Sequence, residues 1–288
     1  MIGASRASKI DMSTLIIHSS ELAPATLEQL TSELNSAPTL KKNSIRFEVP
    51  VDIDIAAMQA IMPYDVNILP ENFDPAKVKL VISDMDSTLI NIECIDEIAD
   101  MAGLKDKVSA ITEAAMRGEL DFSESLTKRV ALLEGLPSET LLKVYQERLA
   151  LNPGGELMLS KLQEHDIEFS LISGGFHFFT DRLMDRYGFN DTLANNLEVV
   201  DDKLTGKIDG PIIDASAKAD YLAKRCNELN IKPENVVAMG DGANDLEMLA
   251  AAGMGVAYHA KPKVRQQADC ALNESGLDGL LTLLDITH

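Results

Sequence analysis

Three short polar clusters, each directly after an apolar run, constrain this chain most strongly. DMDST at 84–88 follows the run 80–83, SGG at 173–175 follows 167–172, and GDGAND at 240–245 follows 235–239. Apolar runs of this length are typical of strands buried on both faces of a parallel sheet. Ligands bind at the carboxyl ends of such strands. The sequence therefore predicts that three separate loops meet in one crevice.

The segment from residue 78 to the end has the strand–helix alternation of an α/β fold. Strands are predicted at 80–83, 167–172, 235–239 and 254–257, and helices at 156–165, 176–187, 218–229 and 245–251. This period predicts a Rossmann-like parallel sheet core with helices on both faces. Residues 92–150 are rich in Ala, Glu, Leu and Lys, which indicates a helical insertion, and 196–213 read as a hairpin or flap.

Before this segment the pattern indicates a small α+β domain at residues 1–72. Strands are predicted at 14–18, 44–49 and 65–69, and helices at 24–35 and 52–61. The proline-containing stretch 70–77 is the predicted linker to the domain at 78–288. The βαβαβ-like pattern is compatible with a ferredoxin-like or ACT-like regulatory module, with a unit that forms a homodimer, and with a folding partner.

Composition narrows the class of function. There are 26 Lys and Arg against 46 Asp and Glu, a formal charge of −20, which argues against nucleic-acid and anionic-membrane partners. The three cysteines lie far apart without a CxxC pair, so neither a zinc site nor a disulfide framework is expected. No signal peptide is visible and no apolar stretch approaches the ~18 residues of a spanning helix. These features predict a cytoplasmic protein.

The acidic residues of the clusters indicate the chemistry. Asp84 and Asp86 could aim two carboxylates at one pocket, one as nucleophile and one as general acid/base, although capping of the next helix is an alternative for Asp86. Asp84, Asp86, Asp241 and Asp245 would repel one another without a cation, and their hard oxygen ligands favour Mg²⁺. EF-hand, P-loop, dinucleotide and GxSxG patterns all fail on spacing.

The clusters, together with Lys218, resemble the four motifs of the haloacid dehalogenase superfamily. The matching residues are DMDST at 84–88, SGG at 173–175, Lys218 and GDGANDLEM at 240–248, and the likeness covers about residues 78–288. The resemblance implies a core of that superfamily's type with a mobile helical cap at about 92–150. It also implies Mg²⁺-dependent hydrolysis of O-phospho-L-serine to L-serine and phosphate, the last step of L-serine biosynthesis.

The resemblance also implies a role for each matching residue. Asp84 would attack phosphorus to form an aspartyl-phosphate, and Asp86 would protonate the leaving oxygen and later deprotonate water. Mg²⁺ would be held by Asp84, the backbone carbonyl of Asp86, and Asp241. The phosphate would be held by Ser173, Gly174 and Lys218, with Asn244 and Asp245 as supporting groups.

The cap residues of the resemblance would recognise the substrate. Glu93 and Arg129 supply the charges opposite to an ammonium and a carboxylate, and Met116 and Phe122 match apolar cap contacts. An alternative is a phosphatase or phosphotransferase of the same superfamily acting on another small phosphorylated metabolite, since the cap sets the substrate. A non-enzymatic sensor is the third hypothesis.

Overall fold

The computed structural model describes residues 12–288, apart from the side chain of Met116. Its first part is a four-stranded antiparallel sheet in the order β2-β3-β1-β4. The elements are β1 (Met12–Ile17), α1 (Pro24–Glu33), β2 (Thr39–Leu40), β3 (Ile45–Pro50), α2 (Ala56–Ile61) and β4 (Val66–Ile68). The βαββαβ order with β1 and β3 in the centre is that of a ferredoxin-like unit.

Strand β1 shows why this sheet has two buried faces. Leu15 and Ile17 point into the core of the unit with Phe47, whereas Ile16 packs into the large core of the rest of the chain. Alternate side chains of a strand point to opposite faces. One face of the small sheet therefore packs in the core of the N-terminal unit, which includes Leu30 of α1, and the other face packs against the second part of the chain.

The second part is a seven-stranded sheet in the order β11-β10-β9-β5-β6-β7-β8, parallel except for the β7–β8 pair. Its strands are β5 (Leu80–Ser83), β6 (Glu168–Phe176), β7 (Asp191–Val200), β8 (Lys203–Asp209), β9 (Val236–Gly240), β10 (Met254–Tyr258) and β11 (Cys270–Leu272). In β5, Val81 joins one apolar cluster while Leu80 and Ile82 join another, so both faces are buried. The central position of β5 between β6 and β9 brings the three polar clusters side by side.

Helices cover both faces and form the insertion. The insertion contains α3 (Cys94–Met101), α4 (Lys105–Met116), α5 (Phe122–Ala131) and α6 (Glu139–Glu147). The remaining helices are α7 (Gly155–Glu164), α8 (His177–Tyr187), α9 (Ala215–Leu229), α10 (Leu246–Ala251), α11 (Pro262–Gln267) and α12 (Gly279–Leu283). Among the described residues, no helix combines the length and apolar character needed to cross a bilayer.

The predicted α/β class, the helical insertion and the small N-terminal α+β unit are confirmed. Several elements differ in detail from the prediction. The two-residue strand β2 was not predicted, and neither were α11, β11 and α12. Strand β7 begins at Asp191, earlier than the predicted hairpin. The sequence does not reveal this start, because polar residues such as Asn195 interrupt the alternation of apolar and polar residues that predicts a strand.

Candidate active site

Residues from three neighbouring strand ends meet in one cavity of about 150 Å³. Asp84 and Asp86 follow β5, Ser173 and Gly174 lie near the end of β6, and Asp241 follows β9. The insertion lines the other side of the cavity. Its lining includes Asp84, Asp86, Glu93, Phe122, Arg129, Ser173, Gly174, Asp241, Asn244 and Lys261.

The loop after β5 is bent so that both of its carboxylates face this cavity. An Oδ1 atom of Asp84 accepts the N–H of Met85 at 2.7 Å, and Asp86 accepts the N–H of Cys94, the first residue of α3, at 3.0 Å. Ser87 makes the bend with a φ of 57°, in the left-handed region. The carboxylate of Asp86 therefore binds the first N–H of α3 while it also lines the cavity, but the N-cap residue of α3 is Glu93 and not Asp86, contrary to the alternative interpretation.

A buried lysine joins two of the acidic residues. The Nζ of Lys218 lies 2.9 Å from Oδ1 of Asp84 and 2.6 Å from Oδ1 of Asp245, and its side chain is fully buried. Burial lowers the pKa of this ammonium, but Asp245 and Asp84 raise it overall above its usual value. Lys218 is therefore a fixed positive charge beneath Asp84.

The carboxylates of Asp84, Asp241 and Asp245 each offer an oxygen within 4.8 Å of the others. Five carboxylates belong to the site, with Asp86 and Glu93 as the other two, against the cations Lys218, Arg129 and Lys261. This excess of negative charge and the all-oxygen donor set fit a divalent hard cation. The side chain of Asp86 is not part of this cluster of three carboxylates.

Burial and crowding disfavour the ionised form of these acids. Burial, with Asp245 next to it, holds the pKa of Asp84 well above its usual range. Burial followed by the charge of Glu93 raises the pKa of Asp86 to about 7, and burial followed by Asp245 raises that of Asp241 to about 6. A pKa near neutrality suits a group that must first donate and then accept a proton.

The irregular last residues of β6 leave no room for a Cβ unless neighbouring side chains shift. A Cβ on Gly174 would lie 2.6 Å from Cζ of Phe122, and one on Gly175 would lie 2.6 Å from Oδ2 of Asp86. The buried amide of Asn195 holds this end of β6, because its Nδ2 donates to the carbonyl of Gly174 at 2.8 Å. The backbone here can therefore approach a bound group closely.

The insertion contributes charged and apolar side chains to the same cavity. Glu93 accepts a hydrogen bond from Oγ of Ser87 at 2.7 Å. Arg129 reaches the cavity from α5, and burial lowers its pKa despite the nearby Asp96. Phe122 lies beside Gly174, whereas the side chain of Met116 lies outside the described part of the structure.

Three positions in or around the site escaped sequence reasoning. Thr88 donates from Oγ1 to Oδ1 of Asp241 at 3.2 Å, Asn195 holds Gly174, and Lys261 lines the cavity. Lys261 follows β10, another parallel strand, so the rule that located the other clusters could also have found it. Asn195 and the bond of Thr88 left no local signal, because their partners are distant in sequence.

Comparisons with known proteins agree with this geometry. A family profile described as haloacid dehalogenase-like hydrolase matches residues 81–250. The phosphoserine phosphatase of Polaromonas sp. strain JS666 is 51% identical over 224 residues, covering 76% of this chain and 95% of the relative. That of Albidiferax ferrireducens is 48% identical over 210 residues, covering 71% of this chain and 89% of the relative.

Solved structures resemble between 73% and 96% of the chain. A haloacid dehalogenase family hydrolase from Salmonella enterica serovar Typhi has a TM-score of 0.87 at 32% identity, covering 96% of this chain and 99% of the other. A probable phosphoserine phosphatase from Vibrio cholerae has a TM-score of 0.81 at 36% identity, covering 95% and 86%. A substrate-bound phosphoserine phosphatase complex has a TM-score of 0.68 at 38% identity, covering 73% and 99%.

Proposed function

The chain belongs to the haloacid dehalogenase-like hydrolase family, and we propose that it hydrolyses O-phospho-L-serine to L-serine and phosphate. One observation carries this proposal. The cavity joins a nucleophile–acid pair, Asp84 and Asp86, to a pair of opposite charges, Glu93 and Arg129. The first pair suits a phosphomonoester, and the second suits the ammonium and carboxylate of an amino acid.

In the first half of the reaction, an oxygen of Asp84 attacks phosphorus and the bond from phosphorus to the seryl oxygen breaks. Asp86 gives its proton to that departing oxygen. The product of this step is an aspartyl-phosphate on Asp84. In the second half, Asp86 takes a proton from a water molecule, which attacks phosphorus and releases phosphate, so both residues return to their starting states.

The positive and donor groups around Asp84 hold the transferring phosphoryl group. The Lys218 ammonium, the hydroxyl of Ser173 and the N–H of Gly174 stabilise the charge on its oxygens, and Asn244 supports them at the cavity wall. Asp84, the carbonyl of Asp86, and Asp241 would hold Mg²⁺. When bound, this ion supplies Lewis-acid neutralisation of phosphoryl oxygens.

The insertion at 92–150 is proposed to act as a cap over the cavity. Its two ends are pinned together, since the N–H of Asn91 donates to the carbonyl of Ala150 at 3.0 Å, and Oδ1 of Asn91 accepts the N–H of Ala150 at 2.9 Å. Such a junction lets the helices move as one body and exclude water. Hydrogen exchange with and without a phosphate mimic should show protection at 92–150. Equal exchange in both states would contradict closure.

Two further proposals concern the setting of the enzyme. The three described cysteines are free and buried, which supports the reducing cytoplasm as its location. The short edge strand β2, with Leu40 61% exposed, supports a homodimer formed through the domain at 1–72. Light scattering of the wild type and Leu40→Lys tests the second: a monomer in both would contradict it.

Phosphate release from O-phospho-L-serine and from a panel of other phosphomonoesters, with Mg²⁺ or with EDTA, tests the function. We expect Mg²⁺-dependent turnover that prefers phosphoserine and disappears in Asp84→Asn. Arg129→Ala should lower kcat/KM for phosphoserine by at least about 30-fold, because an ionic contact to the carboxylate is lost, and should affect p-nitrophenyl phosphate far less. Arg117→Ala is the matched control, since Arg117 lies in the same insertion at an exposed position, paired with Glu119.

The outcomes separate the hypotheses. Preference for another substrate would retain the chemistry and discard the role of Glu93 and Arg129. No turnover of any phosphomonoester would favour the sensor.

A further inference from the structure

A buried carboxylate of the N-terminal unit, that of Asp65, bonds a loop in the last part of the core. Asp65 directly precedes β4, is 4% exposed and accepts three backbone N–H groups. Oδ1 accepts those of Asn273 at 2.7 Å and Glu274 at 3.1 Å, and Oδ2 accepts that of Ser275 at 2.8 Å. Three hydrogen bonds to one carboxylate fix the position of this loop.

The loop at 273–275 leads directly to one wall of the active site. The side-chain Nε2 of His259 donates to the carbonyl of Ser275 at 3.0 Å. The backbone N–H of His259 donates to the carbonyl of Leu272 at 2.8 Å. His259 has a φ of 43°, a left-handed conformation that needs such support. Two residues later, the N–H of Lys261 donates to the carbonyl of Asp241 at 3.3 Å, and Lys261 lines the cavity.

A second route joins the same loop to the same aspartate. The N–H of Leu277 donates to the carbonyl of Pro153 at 2.7 Å. The neighbouring Asn152 donates from Nδ2 to the carbonyl of Thr88 at 2.8 Å, and Thr88 donates from its hydroxyl to Asp241. The first route begins in the loop that Asp65 holds, the second begins two residues after that loop at Leu277, and both end at Asp241.

We propose that Asp65 is a positioning residue for the active site. Through the loop at 273–275 and His259, it sets the position of Lys261 at the cavity wall. Lys261 forms no ion pair with any residue between 12 and 288, so its ammonium can attract an anionic substrate. The effect on turnover rests on the proposed function, whereas the structural coupling does not. The N-terminal unit then contributes to catalysis without touching the substrate.

The test compares Asp65→Asn with Asp54→Asn in the full-length chain. Asp54 is the matched control because it is also in the N-terminal unit and accepts one backbone N–H, that of Ala56 at 2.9 Å, at an exposed site. We expect Asp65→Asn to lower kcat/KM for phosphoserine by roughly 2- to 30-fold, the range seen for residues that couple distant sites. Asp54→Asn should leave it unchanged, and Asp65→Glu should recover part of the loss.

A double-mutant cycle with His259→Gln tests the route. If Asp65 acts through His259, the loss caused by Asp65→Asn will be smaller in the His259→Gln background than in the wild type. Fully additive losses would overturn the proposal. His259→Gln alone leaves the Asp65 contacts intact. Its effect on kcat/KM therefore tests whether His259 positions Lys261 at the cavity wall, even if Asp65→Asn does not fold.

Hydrogen exchange gives a readout that needs no substrate. Asp65→Asn should speed exchange both at 272–276 and at 257–262. Faster exchange confined to 272–276 would overturn the coupling. If the wild type hydrolysed no phosphoserine, the proposed function would fail while this measurement would still decide the coupling.

Discussion

Replacing Lys218 by methionine tests how much the buried ammonium stabilises the two carboxylates beside it. The ammonium lies between Asp84 and Asp245 at 2.9 and 2.6 Å, and both acids are almost completely buried. Methionine has a similar length and no charge, so the change removes the cation with little change in volume. Two buried carboxylates then face each other without their common partner.

The expected cost follows from that burial. Removing one partner of a buried ion pair destabilises a protein by about 3–5 kcal/mol, because the remaining charge has neither water nor a counter-ion. The unfolding entropy near the midpoint is about 2 cal/mol/K per residue, so Tm should fall by about 5–8 °C in a chain of this length. In Lys218→Met/Asp245→Asn the repulsion is relieved, and about 2 kcal/mol should return.

Urea and thermal unfolding in EDTA measure these changes without a contribution from bound metal. Lys224→Met is the control, since Lys224 lies on the same helix but is exposed and pairs with Glu228 on the surface. Its unfolding free energy should change by less than about 1 kcal/mol. The reasoning is refuted if Lys218→Met is as stable as Lys224→Met, or if the double variant is no more stable than the single one.

Three further predictions concern other parts of the molecule. Burial lowers the pKa of His18 from 6.5 to about 4, so as the pH falls the unfolded chain takes up a proton on His18 before the folded chain does. Urea unfolding should therefore show the free energy of unfolding falling by about 2 kcal/mol between pH 7 and pH 5, and His18→Gln should lack this loss. Gly174→Ala pushes against Phe122 and should lower kcat/KM by at least about tenfold, with Phe122→Leu restoring part of it. Thr88→Val removes the hydrogen bond to Asp241 and should raise the Mg²⁺ concentration needed for half activity about tenfold, whereas an unchanged requirement would contradict its role.

The sequence predicts the centre of this site well, for a physical reason. An apolar run followed by polar residues identifies the end of a buried strand, and parallel strands end at one edge of a sheet. Asp84, Ser173 and Asp241 could be brought together on that basis alone. Lys218 could not, because a lysine near the start of a helix is usually exposed, and only its resemblance to a family motif indicated a role.

The small elements escaped for a different reason. Strand β2 has two residues and β11 has three, too few to show the alternation that predicts a strand. The position of β11 is supported by a side chain, since Asn67 in β4 both donates to the carbonyl of Ala271 at 3.0 Å and accepts its N–H at 2.8 Å. This contact replaces a strand partner at the edge of the large sheet, and no local pattern could indicate it.

Residues that hold the site in place therefore differ from those that carry its chemistry. The acidic and hydroxyl groups at the centre of the site follow strands, so local sequence shows them, whereas Lys218 lies on a helix and is not shown in this way. The supporting groups can come from anywhere in the chain: Thr88 and Asp241 are 153 positions apart, and Asp65 and Ser275 are 210 apart. What these residues share is burial together with a bond to a distant group. Asn195 has both, because it is fully buried and joins Gly174 to Ile213. Variants that change turnover without contacting the substrate should accordingly be sought among buried polar residues of this kind rather than among the motifs.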